Sequence, residues 1–106
     1  MGAGRSLESW GHHGRFSYVG DLELGVKIIL GLDRSFVVPS ETLSALRAHF
    51  AGRSVRIGAT RNPPRDSVGA WLRNRVHADL AAAYVGPILV REGAAERDGD
   101  DSLRFP

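Results

Sequence analysis

Residues 22–38 read LELGVKIILGLDRSFVV, and this stretch decides the fold. From Leu22 to Leu30 every second residue is large and apolar, which is the period of a strand with one buried face. The pattern stops at residues 31–34, which begin with glycine, and resumes over residues 35–38. Two alternating runs joined by a short turn that contains glycine predict an antiparallel hairpin.

The segments on either side of this hairpin extend the pattern. Residues 15–20 are rich in aromatic and β-branched side chains, which predicts a strand before the hairpin. After it, apolar residues recur at helical spacing behind Ser40, a suitable N-cap, so we expect a helix over residues 40–51. Alternation then returns over residues 54–60 and predicts another strand.

The second half of the chain begins with a rigid loop. Residues 61–65 read RNPPR, and the two prolines exclude both a helix and a central strand. An apolar stripe at helical spacing follows, with Asp66 or Ser67 as its cap, and predicts a helix over residues 67–85. A glycine-proline pair ends that pattern, and the apolar residues 88–90 predict a final strand.

These elements follow in the order β-β-β-α-β-α-β, which predicts the α+β class. We expect a single small domain over residues 15–92, with a mixed, mainly antiparallel sheet and both helices packed on one face. Residues 1–14 are glycine-rich and aperiodic and are expected to form a flexible arm. Residues 93–106 are acidic and aperiodic and are expected to form a flexible tail.

Composition excludes several classes of function. The chain has no cysteine, which excludes disulfides, thiolate metal sites and thiol nucleophiles. No apolar run approaches the ~20 residues that cross a bilayer, so we expect a soluble, cytoplasmic protein that does not bind membranes. The four histidines lack the spacing of a metal site, and we expect no metal and no cofactor. Since no known catalytic motif is present, the sequence leaves open whether the protein is an enzyme.

Charge is distributed unevenly along the chain, although the formal net charge is only +2. Residues 47–75 contain seven arginines and one acid, whereas residues 92–101 contain five acids and one base. Four of the arginines fall on a predicted strand and the loop after it, and form a candidate nucleic-acid-binding patch: Arg53, Arg56, Arg61 and Arg65. The acidic tail is an alternative partner for this patch. The preference for arginine over lysine also has a non-functional explanation, because it is typical of GC-rich genomes.

The sequence favours a small binding domain over a catalyst. Because the sheet has edges to protect, we expect self-association, as a dimer, or binding to another protein. One alternative is a nucleic-acid-binding or regulatory module that uses the arginine patch. A second alternative is a small enzyme or ligand-binding protein with a pocket between sheet and helices. Its candidate ligand-binding residues are Tyr18, Arg56, Trp71, His77 and Tyr84.

Overall fold

The computed structural model describes residues 5–11, 14–31, 34–76, 78 and 80–106. Two antiparallel sheets and three helices make up this part of the chain. In chain order the elements are β1 (Arg5–Glu8), β2 (Arg15–Asp21), β3 (Gly25–Ile29), β4 (Ser35–Val38), α1 (Ser40–His49), β5 (Ser54–Arg56), α2 (Val68–Arg73), α3 (Ala81–Arg91), β6 (Glu96–Arg97) and β7 (Ser102–Arg104). The expected α+β class in a single small domain is confirmed.

The larger sheet is a meander in the order β1-β2-β3-β4. The expected hairpin is its β3–β4 pair, in which Ile29 lies opposite Ser35. β3 is nevertheless shorter than the alternating run of residues 22–30, because residues 22–24 form the turn between β2 and β3. Asp21 drives this turn: its Oδ1 accepts hydrogen bonds from the backbone N–H groups of two following residues, at 3.0 and 2.8 Å. Leu24 at the tip is consequently 81% exposed.

The smaller sheet has the order β5-β7-β6 and incorporates residues assigned above to a flexible tail. Val55 lies opposite Leu103, which is fully buried together with Phe105. At the other end of the chain, β1 pairs with β2, and Trp10 is buried. In both terminal segments a few large apolar side chains provide burial that the average composition of the segment conceals.

The helix expected over residues 67–85 is wrong in its extent. The structure ends α2 at Arg73 and begins α3 at Ala81, after Leu80 in a left-handed conformation with φ 57°. α3 then runs through Pro87 and includes residues 88–90, where a strand was expected. Two features explain this error. Leu80 adopts a left-handed conformation although it is not glycine, and Pro87 lies inside a helix.

A tertiary hydrogen bond explains how Pro87 is accommodated inside α3. Proline has no N–H group, so the carbonyl oxygen of Ala83, four residues earlier, loses its helical partner. The backbone N–H of Trp10 donates to that oxygen at 2.8 Å. Gly86 helps to admit Trp10, because a Cβ at position 86 would lie 3.1 Å from the tryptophan ring. The helix therefore depends on a contact that is distant in sequence.

The core lies between the helices and one face of the larger sheet, which the helices cover through contacts of α1 with β3 and of α3 with β1. The sheet residues that fill it are Phe16, Tyr18, Val26, Ile28 and Val38. No helix in the described part of the chain has the length and apolarity needed to cross a bilayer.

Candidate anion-binding cleft

An open cleft of about 970 Å³ lies where the β3–β4 hairpin meets the loop after β5 and the helices α2 and α3. This volume is at the upper end of the range for ligand sites, about 300–1,000 Å³. The residues that line it are Leu30, Arg34, Ser35, Phe36, Gly58, Thr60, Arg61, Pro63, Gly69, Arg73, Val76, Ala78, Leu80, Ala81 and Ala82. We refer to it as the arginine cleft, after Arg34, Arg61 and Arg73.

One wall of the arginine cleft is the loop of residues 57–67, which is held against the start of α2. Ser67 caps this helix, since its Oγ accepts a hydrogen bond from the backbone N–H of Ala70 at 3.1 Å. The same hydroxyl donates to the carbonyl oxygen of Pro64 at 2.7 Å, which ties the proline loop to the cap. The position of Arg61 therefore follows from a rigid loop that is bonded at its end.

Two glycines bring this wall together. The backbone N–H of Gly69 donates to the carbonyl oxygen of Ile57 at 2.9 Å. A Cβ at position 69 would overlap the carbonyl oxygen of Gly58, so only glycine allows the loop and α2 this close approach. Gly58 itself has φ 64° and packs against Ser67. Gly58 lies beyond the end of β5, and its positive φ and close contact with Ser67 both require glycine.

Positive charge dominates the arginine cleft. Arg34, Arg61 and Arg73 come from three separate segments and are all exposed. Among the described residues that line the cleft none is acidic, and no ion pair joins these arginines to a described carboxylate. Asp33 and Asp79 are neighbours of lining segments in sequence and lie outside the described residues. The described wall can therefore offer guanidinium donors to an anion.

Apolar side chains form another part of the lining, beside the hydroxyls of Ser35 and Thr60. Leu30 and Phe36 contribute from the hairpin, Pro63 from the loop, and Val76 and Leu80 from the segment between α2 and α3. A site that combines charged, hydroxyl and apolar groups suits a ligand with an uncharged body as well as a charged group.

The cleft follows the edge of β4. Arg34, Ser35 and Phe36 are consecutive and all line it. Because side chains alternate between the two faces of a strand, consecutive lining residues mean that the cleft runs beside the strand, rather than over one face.

The structure does not bring the four arginines of the expected nucleic-acid-binding patch together on the cleft. Arg61 lines the cleft, but Arg53, Arg56 and Arg65 do not. The guanidinium of Arg53 lies 5.4 Å from the ring centre of Phe50. Arg56 is exposed on β5, opposite Ser102 of β7.

The acidic segment lies beside β5, because β7 pairs with β5 and with β6. Glu96 accepts a hydrogen bond from Arg104 at 2.8 Å, and this contact raises the pKa of Arg104 above its ordinary value. Asp101 lies next to the end of β5, because its carbonyl oxygen accepts a hydrogen bond from the backbone N–H of Ile57 at 2.7 Å.

The five candidate ligand-binding residues do not form one site. Tyr18 is fully buried, and its hydroxyl donates to Glu92 at 2.6 Å. Tyr84 packs edge to face against two phenylalanines, at 5.2 and 6.2 Å between ring centres. Trp71 lies 4.0 Å beneath the guanidinium of Arg75, and neither aromatic residue lines the cleft. Arg56 is exposed on β5, and His77 lies outside the described residues.

Sequence reasoning did not select Arg34 and Arg73. They lie 39 positions apart in the chain, and only the packing of α2 near the hairpin puts both on one cleft. Arg73, the last residue of α2, lines the cleft. Arg75 lies beyond the end of the helix, covers Trp71 and donates to its carbonyl oxygen at 2.8 Å.

In the described ranges of the chain, no cluster of three histidine or acidic side chains is arranged to hold a metal ion. His12, His13 and His77 are outside those ranges. No family model, curated protein or solved structure that we compared with the chain matches it.

Proposed function

We propose that this protein is a binding protein whose arginine cleft takes an anionic ligand. The observation that carries the proposal is the convergence of Arg34, Arg61 and Arg73 on one cleft whose described lining has no acidic residue. This proposal takes up the ligand-binding alternative from the sequence, but the arginines of the site are Arg34, Arg61 and Arg73. The β3–β4 hairpin, the loop after β5 and the helices α2 and α3 together form its walls.

The chemistry of guanidinium favours carboxylate or phosphate as the charged group. Arginine is planar and can donate two parallel hydrogen bonds to either anion. A hydrogen bond to a charged group contributes roughly 1.5–3 kcal/mol, so two or three such contacts total about 3–9 kcal/mol, which corresponds to dissociation constants from millimolar to submicromolar. The apolar residues Phe36, Leu80 and Pro63 add contact area for the uncharged part of the ligand.

Nucleic-acid binding and dimer formation have weaker support. Of the four arginines expected to contact nucleic acid, Arg61 alone lines the cleft, and β5, which carries Arg56, is paired with β7 of the C-terminal segment. A dimer has support from the exposed edge of β4, which also borders the cleft. We therefore rank both below anion binding.

Isothermal titration calorimetry with citrate and inorganic phosphate tests the proposal. The protein should bind at least one of these anions at an ionic strength of about 20 mM, where screening is weak. The variant Arg34→Gln, Arg61→Gln, Arg73→Gln should lose binding, and each single variant should lose roughly tenfold in affinity, or 1.4 kcal/mol.

The matched control is Arg53→Gln, Arg56→Gln, Arg65→Gln, which removes the same charge from residues that do not line the cleft. It should lose much less affinity than the cleft variant because its charges act only over a distance, and this smaller loss should diminish at about 150 mM salt, where the Debye length is about 8 Å. Equal loss in both triple variants would show a general charge effect, and unchanged binding in the cleft variant would refute the proposal.

A further inference from the structure

We propose that the anionic ligand is an acidic segment of a partner protein, bound in an extended conformation as a fifth strand on the edge of β4. This inference rests on the proposed function of the arginine cleft and names its partner. It follows from three features: an open strand edge, a cleft beside that edge, and the charge of the cleft.

The pattern of hydrogen bonds in the hairpin shows that the edge of β4 is open. The backbone N–H of Leu30 donates to the carbonyl oxygen of Arg34 at 2.9 Å, so these two residues face each other across the hairpin. In an antiparallel pair the direction of the backbone groups alternates from residue to residue. Ser35 and Val37 therefore point their N–H and C=O groups away from β3.

β4 is the last strand of its sheet, and the described residues place no other strand beside it. Neither Ser35 nor Val37 forms a backbone hydrogen bond with a described residue on the outer side. Val37 is 59% exposed, so its side chain is accessible to an added strand. An edge with free donors and acceptors is a template for another strand.

The side chains of an added strand would alternate between the two faces of the sheet. Phe36 points to the inner face, where it contacts Tyr84, and Val37 points to the outer face. Alternate residues of the added strand would thus lie on the cleft side, near Arg34, Arg61 and Arg73. A segment of five residues spans about 16 Å and has three side chains on that side.

Charge favours an acidic partner over a second copy of this chain. Pairing of two β4 edges around a two-fold axis at Phe36 would bring Arg34 of one copy opposite Val38 of the other. It would also bring the two arginine clefts together, and like charges in proximity oppose association. An acidic segment satisfies the same hydrogen bonds and neutralises the cleft.

The preferred ligand should therefore alternate acidic and apolar residues. We assign antiparallel addition, because every pair of adjacent strands in the described sheet is antiparallel. In that arrangement the residues opposite Ser35 and Val37 have outward side chains, and their N–H groups donate to β4. These are the apolar residues of the ligand, whereas the N–H groups of its acidic residues point away.

Fluorescence anisotropy with a labelled peptide GEVEVEG tests this geometry. Methylation of the backbone nitrogens of both valines should weaken binding by about tenfold or more, since it removes two donors to β4. Methylation of the nitrogens of the outer two glutamates is the matched control and should change the affinity less than threefold. The triple cleft variant should abolish binding of the unmodified peptide.

Three outcomes would overturn the inference. Equal affinity of the valine-methylated and unmodified peptides would rule out pairing with β4. Binding of citrate or phosphate in the cleft without binding of the peptide would leave the proposed function intact and refute the extended partner. A dimer by light scattering that excludes the peptide would assign the β4 edge to a second copy.

Discussion

Replacing Gly69 by alanine tests the contact that forms the wall of the arginine cleft. Gly69 is the second residue of α2, and its N–H donates to the carbonyl oxygen of Ile57 at 2.9 Å. An alanine Cβ would overlap the carbonyl oxygen of Gly58 and lie 3.1 Å from the Cβ of Pro63. The first neighbour is backbone and the second belongs to a rigid ring, so neither can move aside at low cost.

The expected change in the free energy of unfolding follows from opposing effects. Overpacking costs about 1–3 kcal/mol, and loss of the hydrogen bond between Gly69 and Ile57 costs roughly 1 kcal/mol more if α2 shifts. The higher helix propensity of alanine returns at most about 1 kcal/mol. The variant should therefore be destabilised by about 1–3 kcal/mol, with Tm lower by roughly 4–8 °C for each kcal/mol.

Urea denaturation followed by circular dichroism measures this difference. The control is Ala45→Gly at an exposed position in α1, which reports the intrinsic helix propensity and should cost about 1 kcal/mol. Propensity alone predicts that Gly69→Ala is more stable than the wild type. A Gly69→Ala variant with unchanged or increased stability would therefore refute the close contact between the loop and α2.

Two further substitutions test other parts of the fold. Leu103→Ala should cost about 2–5 kcal/mol because the side chain is fully buried, whereas Leu24→Ala should change stability by less than about 0.5 kcal/mol. A near-zero effect of Leu103→Ala would contradict the incorporation of the C-terminal strands. Ser67→Ala should cost about 1 kcal/mol through loss of the cap of α2, and Ser44→Ala on the exposed face of α1 should be neutral. Equal stability of the two serine variants would argue against the cap.

Elements with local signals could be predicted from the sequence. The β3–β4 hairpin follows from alternation on both sides of a short turn, and α1 follows from its helical spacing. The expected N-cap of α1 is wrong, because Ser40 is the first helical residue and makes no capping hydrogen bond. The cap at Ser67 is equally local. In each case the residues that determine the element lie within the element or next to it.

Elements that depend on distant contacts could not be predicted. α3 passes through Pro87 because the N–H of Trp10 satisfies the carbonyl oxygen of Ala83. The strands β6 and β7 contain few apolar residues, and the burial of Leu103 is apparent only when β5 lies beside it. Local patterns do not contain this information.

The arginine cleft also depends on contacts that are distant in sequence. Grouping arginines by their proximity in sequence selected Arg53, Arg56, Arg61 and Arg65, of which Arg61 alone lines the cleft. The residues that complete the set, Arg34 and Arg73, come from a hairpin and a helix. Their presence on one cleft results from tertiary structure that joins segments 39 positions apart, which local patterns do not reveal.

A titration of the ¹⁵N-labelled protein with citrate, followed by amide chemical shifts, tests anion binding in the cleft most directly. We predict saturable shifts that are largest for residues 34–36, 58–61 and 69–73, with loss of these shifts in the triple cleft variant. Saturable shifts centred on Arg53, Arg56 and Arg65, or small linear shifts spread over the whole protein, would contradict the proposal.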